Sequence, residues 1–308
     1  MSNATEVNFI RKQIATPSVS NALSSLYGGS SQYETSAIYD AAGNVVSPRF
    51  QRVICPTNSD SWCVKRTYDI LQPMEIAELV QPVLDRISNV KIESVGLLKN
   101  GQGLFLGMNC GQFSVPNQNI AGDDVIAKKL TLMTGFNGDY KTRLLLSTER
   151  FVCSNGMTLF GKVAWEVNAK HTRNQRLKLA SSVDSFTGIN RSFDDLQRKL
   201  AAYAATPLSS DQADDVLKQL IPGDSTRSEN VRKTIKQEFR NPQRGTFGET
   251  VFDMMNAFTA YNSHERNFRS TTTASRQENR FVSLSGANDT DNRQVTKLGK
   301  ILDSIVAA

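Results

Sequence analysis

The sequence predicts an α+β protein: an antiparallel sheet of β-hairpins (about five strands), a long helix packed on it, and a helical C-terminal part. Three observations lead there. Two Asn-Gly turns, in "KNGQ" and "NGD", each lie between apolar runs of strand length, and Asn-Gly supplies the positive φ angles of a tight turn. The strand-like runs follow one another between residues 91 and 172 with short turns, the pattern of an antiparallel sheet. From about residue 174 the apolar spacing changes from two to helical.

Residues 1–69 read as an N-terminal arm. Their first fifty are rich in Ser, Asn, Gly and Ala, with "YGGSSQ" and "AAGN" as turn signals, and predict irregular structure. An α+β core is expected over 70–205. In "PMEIAELVQPVLDRI", Ile76, Leu79, Val80, Val83, Leu84 and Ile87 fall at helical spacing; Pro73 suits a first turn, and Pro82 is expected to kink or split the helix. "KIESVGLL" and "GLFLGMN" form the first expected hairpin, "KKLTLMTGF" and "YKTRLLLSTERFVC" the second. In "KVAWEVNAKHT", Val163, Trp165 and Val167 alternate with Lys162, Ala164, Glu166 and Asn168, as in a strand with one buried face.

Helices follow. Val183, Phe186, Phe193, Leu196, Leu200 and Tyr203 make one stripe through 174–204, interrupted near Gly188. A helical region is expected over 206–265. "SSDQADDVLKQL" opens on capping residues, and "RSENVRKTIKQEF" reads as a basic helix. "GTFGETVFDMMNAFTAYNSH" puts Val251, Met254, Met255, Phe258 and Tyr261 on one face. Residues 266–308 read as a polar, mobile tail ending in a short amphipathic piece, "VTKLGKILDSIV".

At 308 residues and 39% hydrophobic, the chain can bury a full core. No run of eighteen apolar residues is present and the N-terminus has no apolar h-region, so a cytoplasmic protein of the host cell, with no membrane, is expected. Cys55, Cys63, Cys110 and Cys153 form no C-x-x-C pair, which suits reduced thiols. The net charge of +6 is uneven: residues 1–161 hold 14 Lys/Arg against 13 Asp/Glu, whereas 162–200 hold 8 against 4. A local basic excess points to a polyanionic partner or to a solvated helix face.

The stretch "RFVCSNGMTLFGKVAWEVNAKHTRNQRLK" gathers Cys153, Asn155 and His171, residue types used by cysteine-nucleophile enzymes. Cys153 follows Phe151 and Val152, however, and reads as a small buried hydrophobe at a strand end. His171 and His264 are the only histidines, and no Cys/His pair has metal-ligand spacing. Asp123-Asp124 and Asp194-Asp195 read as solvated or capping carboxylates. No G-x-x-x-x-G-K-[ST] occurs. No enzyme, cofactor or metal is expected.

The cations carry more. Lys162, Lys170, Arg173, Arg176 and Lys178 fall on or just after the exposed side of the last strand, with Lys128, Lys129, Lys141, Arg143 and Arg150 on the second hairpin. Such a row can neutralise several phosphates. Phe136, Tyr140 and Phe151 are the nearest aromatics on which bases could stack.

"TERFVCSNGMTLF", "NAKHTRN" and "GTFGETVFDMMNAFTAYNSHE" together resemble the phage- and plasmid-related family known as domain of unknown function 932. The matching segments are Arg150–Asn155, His171-Thr172, Gly245-Thr246 and Asn256–His264, within roughly residues 70–265. The chain departs from the family pattern at "NGMTL" and at "FGETVF", where an aromatic Trp is usual. The hairpin sheet followed by a helix is similar in layout to single-strand annealing proteins of the Red-beta, Erf and Rad type. That resemblance implies an ATP-independent protein that binds and anneals single-stranded DNA (or RNA) in recombination, assembled as a homo-oligomeric ring or helical filament. The alternative it implies is a mobile-element interaction protein that counters a host defence system without binding nucleic acid.

Overall fold

The computed structural model describes residues 10–16, 18–28, 32–87, 89–116, 123–150, 155–157, 166–184, 188–266, 276, 278–279 and 289–308. The expected α+β class is found, around a large antiparallel sheet. Its strands are β1 (Ile10–Thr16), β5 (Lys91–Leu98), β6 (Gly103–Val115), β7 (Asp124–Gly135), β8 (Thr142–Arg150) and β10 (Glu166–Ala169), side by side in that order; short β9 (Asn155–Met157) also pairs with β8. A second sheet of three strands, β2 (Glu34–Ser36), β3 (Phe50–Ile54) and β4 (Ser61–Lys65), stands beside it.

The N-terminal segment differs from expectation. It carries a strand, a helix and the whole small sheet, whose Val53 and Val64 are buried in the core. α1 (Val19–Tyr27) is capped by Ser18, whose side chain accepts from the Asn21 amide, and stops at Gly28 in the left-handed region. Val19, Ala22, Leu23 and Leu26 form its buried stripe. β1 pairs with β5 across a long loop in sequence, Ile10 opposite Leu97. Tyr33 then wedges between the hairpin turns: its ring stacks on Phe136 at 3.8 Å and its hydroxyl donates to the Gly101 carbonyl at 2.7 Å. The Gln72 amide holds the Tyr33 backbone through both its N–H and C=O, at 2.9 Å each.

α2 (Pro73–Leu84) runs without a break, contrary to the expectation for Pro82. Pro82 sits in the last turn, two residues before the helix ends, so the hydrogen bond it removes is near the fraying end. The β5–β6 turn has Asn100 and Gly101 at φ 55° and 94°, as Asn-Gly predicts. In β6 the register slips between Asn109 and Gln112 at Gly111, whose φ is +96°. This bulge restores the alternation, so Phe113 and Val115 stay on the sheet face of Leu104, Leu106 and Met108 but lie further along it, where they join the second core.

Among the described residues the buried apolar side chains form two large cores and a small third cluster, Leu98, Phe105 and Met133. The first lies between the sheet and α1, α2 and α3 (Gln175–Asp184), and contains Leu106, Leu130, Leu132, Leu144, Leu146 and Leu179. The second is helical: α4 (Gly188–Ala205), α6 (Thr226–Phe239) and α8 (Asp289–Val306) pack on α7 (Val251–Ala260), and α5 (Ser210–Leu220) packs on α6 and α8. Over 174–204 the described residues form α3 and α4, and Gly188, near which the stripe is expected to be interrupted, is the first residue of α4. α7 is buried on every side, including Asp253, Asn256 and Thr259, and is capped reciprocally by Thr250 and Asp253. It passes directly into a π-helical turn, Tyr261–Glu265. The short terminal piece is an eighteen-residue helix docked on its own chain: Leu298 and Leu302 are fully buried, and Asp303 accepts from the Tyr203 hydroxyl at 2.6 Å. Among the described residues no helix is long and apolar enough to cross a membrane.

Candidate functional site

Three loops meet at one end of the large sheet: β4 to α2, β7 to β8, and β10 to α3. Between them and the small sheet lies an open groove of about 1420 Å³. Its lining includes Phe50, Cys63, Lys65, Arg66, Tyr68, Asp69, Tyr140, Lys141, Lys170, His171, Arg173 and Arg176. Six of these are cations and one is an acid.

The floor is held by a clamp. His171 is buried and its ring stacks on Tyr68 at 4.6 Å and 24°. Nε2 lies 3.0 Å from the Tyr140 carbonyl oxygen, which can only accept, so Nε2 carries the proton and Nδ1 is bare. Nδ1 is buried without a hydrogen-bond partner. Desolvation lowers the His171 pKa, against weaker opposing contacts with the Tyr140 and Asp69 backbone, so the ring is neutral. Tyr68 donates its hydroxyl to the Gly135 carbonyl at 2.8 Å, and burial raises its pKa far beyond any physiological range.

The structure separates the sequence-predicted residues into groups. Lys141, Lys170, Arg173, Arg176 and Tyr140 come together in the groove. Lys170 and Arg173 are exposed, Lys141 half-buried. Arg176 is already engaged: it pairs with Glu75 and Asp69 and donates to the Ile70 carbonyl at 3.2 Å. Its hydrogen bond to Glu75 leads the causes that raise its pKa. That corrects its reading as a free phosphate contact. Lys128 lies over the Phe113 and Phe193 rings, at 5.9 and 5.3 Å, on the helix-covered face of the sheet. Lys129 pairs with Glu93, and Arg143 is buried. Lys178 projects from α3, exposed and outside the groove. Phe136 has no accessible face, because Tyr33 stacks on it inside the core; it cannot take a base. Phe151, Cys153, Lys162 and Trp165 lie outside the described residues, and Arg150 is described only as a backbone position in β8.

Sequence reasoning missed Lys65, Arg66, Tyr68 and Phe50. "VKRTYD" shows a basic pair beside an aromatic, but it fell within the supposed arm. Among the described residues, Lys65, Arg66, Lys141, Lys170 and Arg173 have no carboxylate within ion-pair distance. No group of three or more His, Cys, Asp or Glu that could hold a metal occurs among those residues either.

With the geometry in view, comparison with known proteins adds one result. Residues 62–284 match the family described as Domain of unknown function (DUF932), well over half of the chain. The chain belongs to the DUF932 family. No curated protein and no solved structure matches it. The DUF932 match begins inside β4, so it includes the loops that line the groove but leaves out Thr35, Phe50 and Gln51 on its small-sheet side. Of the family-like segments, His171-Thr172 line the groove. Gly245-Thr246 make a corner after α6, where Thr246 donates to the Glu238 carbonyl at 2.6 Å. Asn256–His264 span the central helix and its π-helical turn.

Proposed function

We propose that this DUF932 protein binds single-stranded nucleic acid in the groove, without ATP, and that it acts as an annealing protein whose subunits align as a ring or filament. The observation that carries this reading is the set of five cations, Lys65, Arg66, Lys141, Lys170 and Arg173, which converge on one groove and, among the described residues, have no carboxylate within ion-pair distance. Cations that served only stability would be expected to sit beside carboxylates, as Arg176 does. Unpaired ones leave a positive potential that attracts a polyanion and releases its counter-ions. The half-exposed rings of Tyr68 and Tyr140 beside them suit sequence-tolerant contact with bases.

The test is titration of a labelled single strand, DNA and RNA in parallel, across a range of salt. Wild type is expected to bind with a steep salt dependence. Lys141→Ala, Lys170→Ala and Arg173→Ala together should weaken binding for every base sequence and flatten the log–log slope by roughly 0.7 for each phosphate no longer neutralised. An unchanged affinity and slope would reject the groove. Light scattering with and without the strand tests assembly; a monomer under both conditions would reject the ring or filament.

A further inference from the structure

We infer that the outer face of the small sheet continues the track, so that a strand leaving the groove stacks one base on Phe50 and sets its phosphates against Arg52 and Lys65. This rests on the groove binding single-stranded nucleic acid.

Strand alternation divides the small sheet cleanly. Val53 and Val64 are buried, and Trp62 donates its indole N–H to the Phe136 carbonyl at 2.7 Å, so Gln51, Val53, Trp62 and Val64 face inward. Phe50, Arg52, Cys63 and Lys65 face outward, and all four are exposed. The register places Lys65 directly opposite Phe50 and Cys63 directly opposite Arg52. Phe50 and Lys65 also line the groove, so the two surfaces are continuous.

A lone exposed aromatic needs no explanation. Phe50, at 43% exposure, is flanked instead by a cation across the ladder and another two residues along its own strand. Residues two apart on a strand lie roughly 6.8 Å apart, about two phosphate steps of a stacked strand. Arg49 and Arg66 stand at the same end, joined by the Arg66 amide donating to the Arg49 carbonyl at 2.8 Å. Among the described residues, Arg49, Arg52, Lys65 and Arg66 have no carboxylate within ion-pair distance. Glu34, opposite Ile54, stands at the far end of that face. An aromatic platform between unpaired cations is the arrangement that holds a single strand by stacking and phosphate contact together.

Two measurements on the full chain test this. In the first, oligothymidylates of increasing length are titrated. Phe50→Ala should weaken the longer strands by roughly fivefold or more, and Phe50→Trp should not. An abasic strand should abolish that difference. Arg52→Ala should flatten the salt slope by about 0.7. In the second, alkylation of Cys63 is followed by peptide mass spectrometry. A long oligothymidylate should slow it several-fold, and inorganic phosphate should not. If Phe50→Ala and Arg52→Ala bind as wild type and Cys63 reacts at one rate throughout, the extension is wrong, although the groove stands if its own triple variant still loses binding. If wild type binds no strand, both fall.

Discussion

Arg176 on α3 grips Glu75 on α2 with two parallel hydrogen bonds, Nε to Oε1 and Nη2 to Oε2, each 2.8 Å long. Glu75 is simultaneously the capping carboxylate of α2, accepting from the Gln72 amide at 2.8 Å. Partial burial works against the Glu75 charge, but the hydrogen bonds from Arg176 and Gln72 hold its pKa below the ordinary glutamate value. One guanidinium thus ties the wall of the groove to the start of a helix.

Arg176→Ala should lower stability by about 1 kcal/mol, a modest figure because both side chains are about one-third exposed. Arg176→Lys should not restore it, since a point charge cannot replace the fork. Denaturant midpoints check both. Salt-dependent binding of a strand should change far less than with Lys170→Ala, because four of the five Arg176 N–H donors are already engaged within the protein and its charge is paired with Glu75 and Asp69.

Phe136→Ala should cost about 3–5 kcal/mol in urea unfolding, the usual range for emptying a buried aromatic site. It removes the ring against which Tyr33 stacks, so the N-terminal segment should lose protection from proteolysis first. Equal stability of Phe136→Ala and wild type would show that the wedge is dispensable.

Because burial lowers the His171 pKa, the unfolded chain binds a proton there more readily than the folded one. Its contribution to stability is therefore complete above the ordinary histidine value of 6.5 and declines as pH falls below it. Asp253 and Glu278, whose pKa values burial raises, act with the opposite sign at lower pH, and wild type alone will not isolate the histidine. Melting temperatures of wild type and His171→Gln should converge as the pH is lowered from neutral through that window. Parallel curves would refute a neutral, clamped imidazole.

Gly101→Ala should destabilise by roughly 2 kcal/mol or more, from strain at a positive φ together with a steric clash. An added Cβ would lie 2.4 Å from the Cys55 sulfur. In a Cys55→Ala background the clash is relieved while the backbone strain remains, so the two substitutions should be measurably non-additive in a double-mutant cycle.

Legibility followed sequence distance. β5 to β8 announced themselves because strand, turn and partner are adjacent in the chain. α1 did not, because its stripe of Val19, Ala22, Leu23 and Leu26 is diluted by serines and its packing partner α2 lies more than fifty residues on. Lys141, Lys170, Arg173 and Tyr140 were legible as basic or aromatic residues beside strand ends. Arg176 was misread because its carboxylates, Asp69 and Glu75, lie 107 and 101 residues away. α7 looked like an ordinary one-faced helix, since nothing local reveals that α4, α6, α8 and β9 pack around it. Phe136 looked available for the same reason, its cover being Tyr33.

The pairing of β1 with β5 sets Ile10 opposite Leu97 and bears on the order in which the protein takes shape. Closing so long a loop costs entropy before its contacts repay it, whereas β5 to β8 close through short turns. The central strands should therefore acquire amide protection early in a refolding time course, and β1, Tyr33 and the small sheet late. The groove draws its walls from both groups. Its cations would come together only in the last phase, so a partly refolded chain would carry the central strands of the sheet and no complete groove.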